Sequence, residues 1–116
     1  MFTIRIAKQV ITKLIDDLRM NGYNPSRAIL FGSVAKGRSH HLSDIDVAIW
    51  DEKFTGCRPI DYEAIIKILH HYPRLELHTF HVTETSADNP FIREIEKDGI
   101  VIPVRKDEKE ISAVKF

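Results

Sequence analysis

One stretch of this chain constrains its fold more than any other. A nearly continuous apolar run, Arg27-Ala28-Ile29-Leu30-Phe31, stops at Gly32-Ser33; ten residues later Asp44-Ile45-Asp46 opens a second run, Val47-Ala48-Ile49-Trp50. Short apolar runs bounded by turn residues are what strands covered on both faces present. Side chains on a strand alternate faces, so Asp44 and Asp46 are expected to point one way and Ile45 and Val47 the other. Two carboxylates a pleat apart repel each other, and a hard divalent cation such as Mg²⁺, which takes oxygen ligands, relieves that repulsion. Taken alone, Asp-x-Asp is equally well explained as a solvated acidic turn at a strand entry.

The preceding turn gives the carboxylates a chemical partner. Glycine at the end of the first run allows a sharp turn or a close approach to a ligand. Ser33 is placed to cap a short helix running through Lys36, whose leading amide groups would face a phosphate. Gly37 then reads as the stop of that helix. Read without the carboxylates, Gly-Ser is an ordinary turn dipeptide.

The pattern Gly32-Ser33, ten residues, Asp44-x-Asp46 resembles the nucleotidyltransferase superfamily related to DNA polymerase beta, and in a chain this short its minimal nucleotidyltransferase (MNT) branch. The likeness extends to Leu75-Glu76-Leu77-His78-Thr79-Phe80, similar to that branch's strand with the third carboxylate. Asn89 to Ile95 and Asp98-Gly99-Ile100 resemble its closing helix and strand, so the resemblance spans about residues 25 to 104. Glu76 also has a case of its own. It lies on the face opposite Leu75 and Leu77, where a buried charge must be paired or ligating, although an exposed face shared with His78 would serve equally.

The resemblance implies an α/β (α+β) nucleotidyltransferase fold: a small mixed sheet of about four strands packed with helices. It implies a triphosphate, ATP by family, bound over Gly32 and Ser33; Lys36 and Arg38 are candidate phosphate contacts, equally well explained as keeping a surface turn soluble. Asp44, Asp46 and Glu76 would be both the catalytic acids and the ligands of two Mg²⁺ ions, with Glu76 alternatively a general base for the acceptor. It further implies a separate helical partner of the HEPN type, with the chain acting as an antitoxin that transfers AMP to a hydroxyl, by family a tyrosine, of that partner. Two other classes fit the same residues: the donor-binding subunit of an enzyme that modifies a small molecule, and a module that binds nucleotide and partner without turnover.

Composition narrows the alternatives. At 116 residues the chain can bury roughly two-thirds of its unfolded surface in one domain, expected over residues 1–105, with 106–116 a charged tail. Seventeen basic and 17 acidic residues cancel, which argues against broad nucleic-acid binding, since that needs a basic surface. No apolar run has the length of a membrane span and no secretory signal is evident. The lone Cys57 offers no internal disulfide, so a cytoplasmic location is the default expectation.

The rest of the chain supplies a frame. Ile4, Ala7, Val10, Ile11, Leu14, Ile15 and Leu18 recur at helical spacing over Thr3–Met20, and Asn21-Gly22 ends that helix. A helix is expected from Ile60 to about His71 with Ile65, Ile66 and Leu69 inward, then a strand from Leu75 to Val82. A helix over Pro90–Lys97 would be capped by Asn89 or Asp88, and a last strand, Ile100–Val104, carries a proline that suits a sheet edge. The apolar end, Ile111–Phe116, could instead dock on a partner. Six histidines invite a zinc reading, but no cysteine–histidine spacing supports it and all six read as surface residues, with His40 and His41 in the loop of the candidate site.

Overall fold

The computed structural model describes residues 2–104. The expected tail, 106–116, and its apolar end lie outside the described residues. The first helix, α1 (Ile4–Met20), begins where Thr3 Oγ1 accepts the Ile6 amide at 3.1 Å. It ends at Asn21, with Gly22 at φ +88° turning the chain away. Between them the apolar stripe buries Ala7, Ile11, Leu14, Ile15 and Leu18.

Four strands follow in one mixed sheet: β1 (Arg27–Phe31), β2 (Ile45–Asp51), β3 (Leu75–His81) and β4 (Ile100–Val101), in the order β3-β2-β1-β4. β1 pairs antiparallel with both β2 and β4, while β2 and β3 run parallel. A parallel pair needs a crossover, and α3 (Arg58–Leu69) provides it. The short α2 (Gly32–Ala35) bridges β1 to the loop before β2, and α4 (Pro90–Asp98) precedes β4.

Period-two alternation divides the core. Ala28, Leu30, Ile45, Val47, Ile49 and Leu77 pack with α1 and with Ile65 of α3 on one face. On the other, Ile29, Ala48, Trp50 and Phe80 pack against Ile92 and Ile95 of α4. With both faces covered, β1 and β2 have to be apolar almost throughout, which is why their sequence signal is so plain. Asp46 and Glu76 share the α4 face by parity. They lie at the leading ends of β2 and β3, beyond the patch centred on Trp50 and Phe80 that Ile92 and Ile95 cover.

Some expectations shift. α3 starts two residues early, with Pro59 in its first turn, and bends at Ile65 (φ −122°, ψ 18°). That break changes the helical phase, so Ile65 is buried but Ile66 is 44% exposed; Ile68 turns partly inward instead, and Leu69 packs partly inward as expected. β4 is shorter than expected. The Ile102 amide still bonds to Ala28 O at 2.9 Å, and Pro103, lacking an N–H, cannot extend the ladder. The edge position of β4 is as expected. No helix among the described residues is long and apolar enough to cross a membrane.

Candidate functional site

The parallel register of β2 and β3 sets Asp46 directly beside Glu76. His78, two residues further on β3, falls on the same face. Ligand atoms of Asp46, Glu76 and His78 all lie within 4.8 Å of one another, and His78 Nε2 is 3.8 Å from Glu76 Oε1. The imidazole is seated among aromatic rings, with centroids 5.1 Å from Phe31 and 5.4 Å from Phe91. Its side chain is only 14% exposed. His78 is therefore not the surface histidine expected from sequence. Its place beside Glu76 follows from a spacing of two on a strand, a signal present in the chain.

Gly32 closes the other side. Its φ of +75° lies in the left-handed region, and a Cβ there would sit 2.3 Å from Asp46 Oδ2. The glycine thus serves two needs: the backbone turn out of β1 and the room that the Asp46 carboxylate occupies. α2 begins at Gly32 itself with Phe31 as its cap residue, two residues earlier than expected. Ser33 consequently lies within the first turn and does not cap it; its Oγ is 3.3 Å from Ser43 Oγ. No side chain caps that turn.

The remaining sequence candidates are dispersed around this centre. Asp44 precedes β2, which starts at Ile45, and so stands outside the regular pleat. Its Oδ1 accepts from Arg74 Nε at 3.0 Å, and among the described residues it is not part of the Asp46–Glu76–His78 cluster. Arg74 also donates to Ser43 O at 2.7 Å and His41 O at 3.2 Å, fixing the approach to β2. Lys36 pairs with Asp98 of α4 at 3.9 Å, an exposed contact, and Arg38 is exposed.

Sequence reasoning missed Arg58. The first residue of α3, it reaches Glu76 Oε1 at 3.4 Å and donates to Tyr62 Oη at 3.1 Å. Tyr62 in turn donates to Leu77 O. Only the crossover geometry brings Arg58 here, and nothing in its local sequence signals it.

Electrostatics mark Asp46 as the tense point. Burial, then the negative charge and hydrogen bonding of Glu76, then the charge of Asp44, push its carboxyl from an ordinary 3.8 up to about 6, against the pull of Arg58. His78 is held below its ordinary value, first by burial and then by Arg58, with Glu76 opposing. Its imidazole is accordingly neutral at pH 7 and able to offer a lone pair. Two crowded acids and a neutral imidazole on one rigid sheet face form a donor set that fits a divalent cation, which would remove the repulsion that raises Asp46.

Residues 12–108 match the polymerase beta nucleotidyltransferase family, and the chain belongs to it. Similar solved structures include a toxin–antitoxin complex with AMP-PNP: 23% identity, TM-score 0.57, covering 93% of this chain and 82% of that one. A mutant of the toxin–antitoxin complex MntA–HpeT, in which two aspartates two positions apart are changed to glutamate, is similar at 21% identity and TM-score 0.55, with the same coverage. A protein from Sulfolobus solfataricus assigned as a nucleotidyltransferase aligns at 17% identity and TM-score 0.53, over 85% of this chain and 81% of that one. At these identities the likeness establishes the fold. No curated protein matches the chain.

Proposed function

We propose that this chain is a nucleotidyltransferase, dependent on a divalent cation, that moves AMP from ATP to a hydroxyl of a helical, HEPN-type toxin, and so acts as its antitoxin. The observation that carries this reading is the Asp46–Glu76 register pair, with Gly32 packed against the Asp46 carboxylate. Membership of the nucleotidyltransferase family supports the reaction class. The toxin–antitoxin setting comes from the two similar complexes, one of them with AMP-PNP and the other altered at paired aspartates with the spacing of Asp44 and Asp46.

Asp46 and Glu76 would hold the cation, with Asp44 joining once its side chain leaves Arg74. When bound, the ion supplies charge neutralisation on the triphosphate. The uncapped first turn of α2, with Gly32 and Ser33, would receive phosphate oxygens, and Lys36 and Arg38 would add positive charge. The acceptor oxygen attacks the α-phosphorus, the bond to the bridging oxygen breaks, and pyrophosphate leaves with its electron pair. The hydroxyl proton is lost to water, directly or, in the alternative in which Glu76 is a general base instead of a ligand, through its half-exposed carboxylate. Catalysis on this account is mainly positioning and electrostatics.

The test is transfer of label from α-labelled ATP to the protein that co-purifies with the chain. Label is expected with the wild type and none with an Asp44→Asn, Asp46→Asn double variant. Equal labelling by both proteins would refute the assignment.

A further inference from the structure

We propose that His78 is a nitrogen ligand of the cation held at Asp46 and Glu76, so that the site takes a first-row transition cation such as Mn²⁺ in preference to Mg²⁺. The inference rests on the cation site of the proposed function but does not depend on turnover. Three observations carry it. The ligand atoms of Asp46, Glu76 and His78 lie within 4.8 Å of one another, close enough to share one ion. His78 Nε2 faces Glu76 Oε1 at 3.8 Å, too far for a hydrogen bond, which leaves that nitrogen directed at the acids without bonding to them. The ring is also held in place by Phe31 and Phe91, so its direction is set before any ion arrives.

Ligand chemistry decides the selectivity. Mg²⁺ takes oxygen and dehydrates reluctantly, whereas affinity for sites with an imidazole rises along the first transition row from Mn²⁺ onward. Asp46 and Glu76 with one imidazole make a mixed oxygen and nitrogen set carrying two negative charges, which suits a divalent ion of that row. Arg58 is the competing cation at Glu76 and Asp44 the additional acid nearby. Arg58 is 41% exposed on its side chain, so it can yield Glu76 to an ion by turning toward solvent.

The experiment uses the full chain stripped with EDTA, titrated separately with MnCl₂ and MgCl₂, with pulsed EPR on the Mn²⁺-loaded protein. The wild type is expected to show coupling of Mn²⁺ to an imidazole ¹⁴N. His78→Phe, which keeps an aromatic ring between Phe31 and Phe91, should lose that coupling. It should also bind Mn²⁺ about tenfold more weakly, while Mg²⁺ affinity changes less than about twofold. His78→Gln, the second variant, should do the same without relying on ring packing. Absence of nitrogen coupling in the wild type, or equal losses for both cations, overturns the proposal. Labelling from ATP is read separately. Transfer without nitrogen coupling sinks His78 as a ligand and leaves the enzymatic reading standing; coupling without transfer does the reverse.

Discussion

Asn in place of Asp46 should stabilise the metal-free protein. Asp46 sits beside Glu76 with its carboxyl raised from 3.8 to about 6, so at neutral pH folding forces an ionised group into a place that disfavours the charge. The sign follows from linkage. Between about pH 4 and pH 6 the folded state holds the Asp46 proton more tightly than the unfolded state, so stability attributable to this group declines as pH rises through that window. Above it the penalty is complete. At ~1.4 kcal/mol per pH unit the difference reaches ~3 kcal/mol at most, and partial solvent access reduces it to about 1.5 kcal/mol. For a domain of this size that corresponds to about 5 °C in Tm. Urea and thermal unfolding of wild type and Asp46→Asn, in EDTA, at pH 5 and pH 7, measure it. The variant should be the more stable at pH 7, and the gap should shrink at pH 5, where wild-type Asp46 is mostly protonated. Adding divalent cation at pH 7 should reverse the order, because only the wild type gains binding energy. A variant less stable than wild type at pH 7 in EDTA would refute the reasoning.

Other perturbations read separate parts of the site and frame. Gly32→Ala combines a left-handed backbone, a strain of about 1–2 kcal/mol, with a Cβ against the Asp46 carboxylate. It should weaken cation binding at least tenfold in calorimetry, and an affinity equal to wild type would contradict the packing argument. Arg74→Ala frees Asp44 and the carbonyls of His41 and Ser43. Faster amide exchange over residues 40–44 is expected, with global stability changed by under about 1 kcal/mol; unchanged exchange there means Arg74 does not hold the loop. Asp61, 4% exposed, accepts from the amides of Thr55 and Gly56 and the hydroxyls of Thr55 and Thr79. Asp61→Ala strands those donors and should cost about 3 kcal/mol in urea unfolding, with the far-UV signal retained at low temperature.

The fold was legible wherever burial on two sides forced continuous apolar runs. β1 has the expected limits for that reason, and the amphipathic stripe of α1 is as strong a signal. Local capping chemistry served equally well at Asn89, whose side chain accepts the amide of Phe91, whereas Thr3, expected as the first helical residue, caps α1 through its bond from the Ile6 amide. Legibility failed where backbone geometry broke a period. The bend at Ile65 is invisible in composition, and it moved Ile66 from the expected core to the surface. At the site, period two on β3 already put His78 on the face of Glu76, and the reading of histidines as a surface class hid it. Arg58 was beyond reach, because its proximity to Glu76 depends on how α3 crosses between parallel strands.

The same topology explains why so small a domain can present acids in an open setting. Glu76 belongs to β3, an edge strand of the sheet, and its side chain is 44% exposed although Asp46 beside it is half-buried. The inner acid is clamped between Gly32 and its neighbours and has little freedom, which suits a fixed charge. The outer acid meets Arg58 at 3.4 Å, a contact that solvent weakens, besides its neighbours Asp46 and His78. On the proposed function this asymmetry has a use: the rigid Asp46 would serve beside the turn at Gly32, and the more movable Glu76 would serve the acceptor. If Glu76→Gln and Asp46→Asn were to lower cation affinity equally but only Asp46→Asn reduced transfer, the outer acid would be a spectator and this division of labour would be wrong.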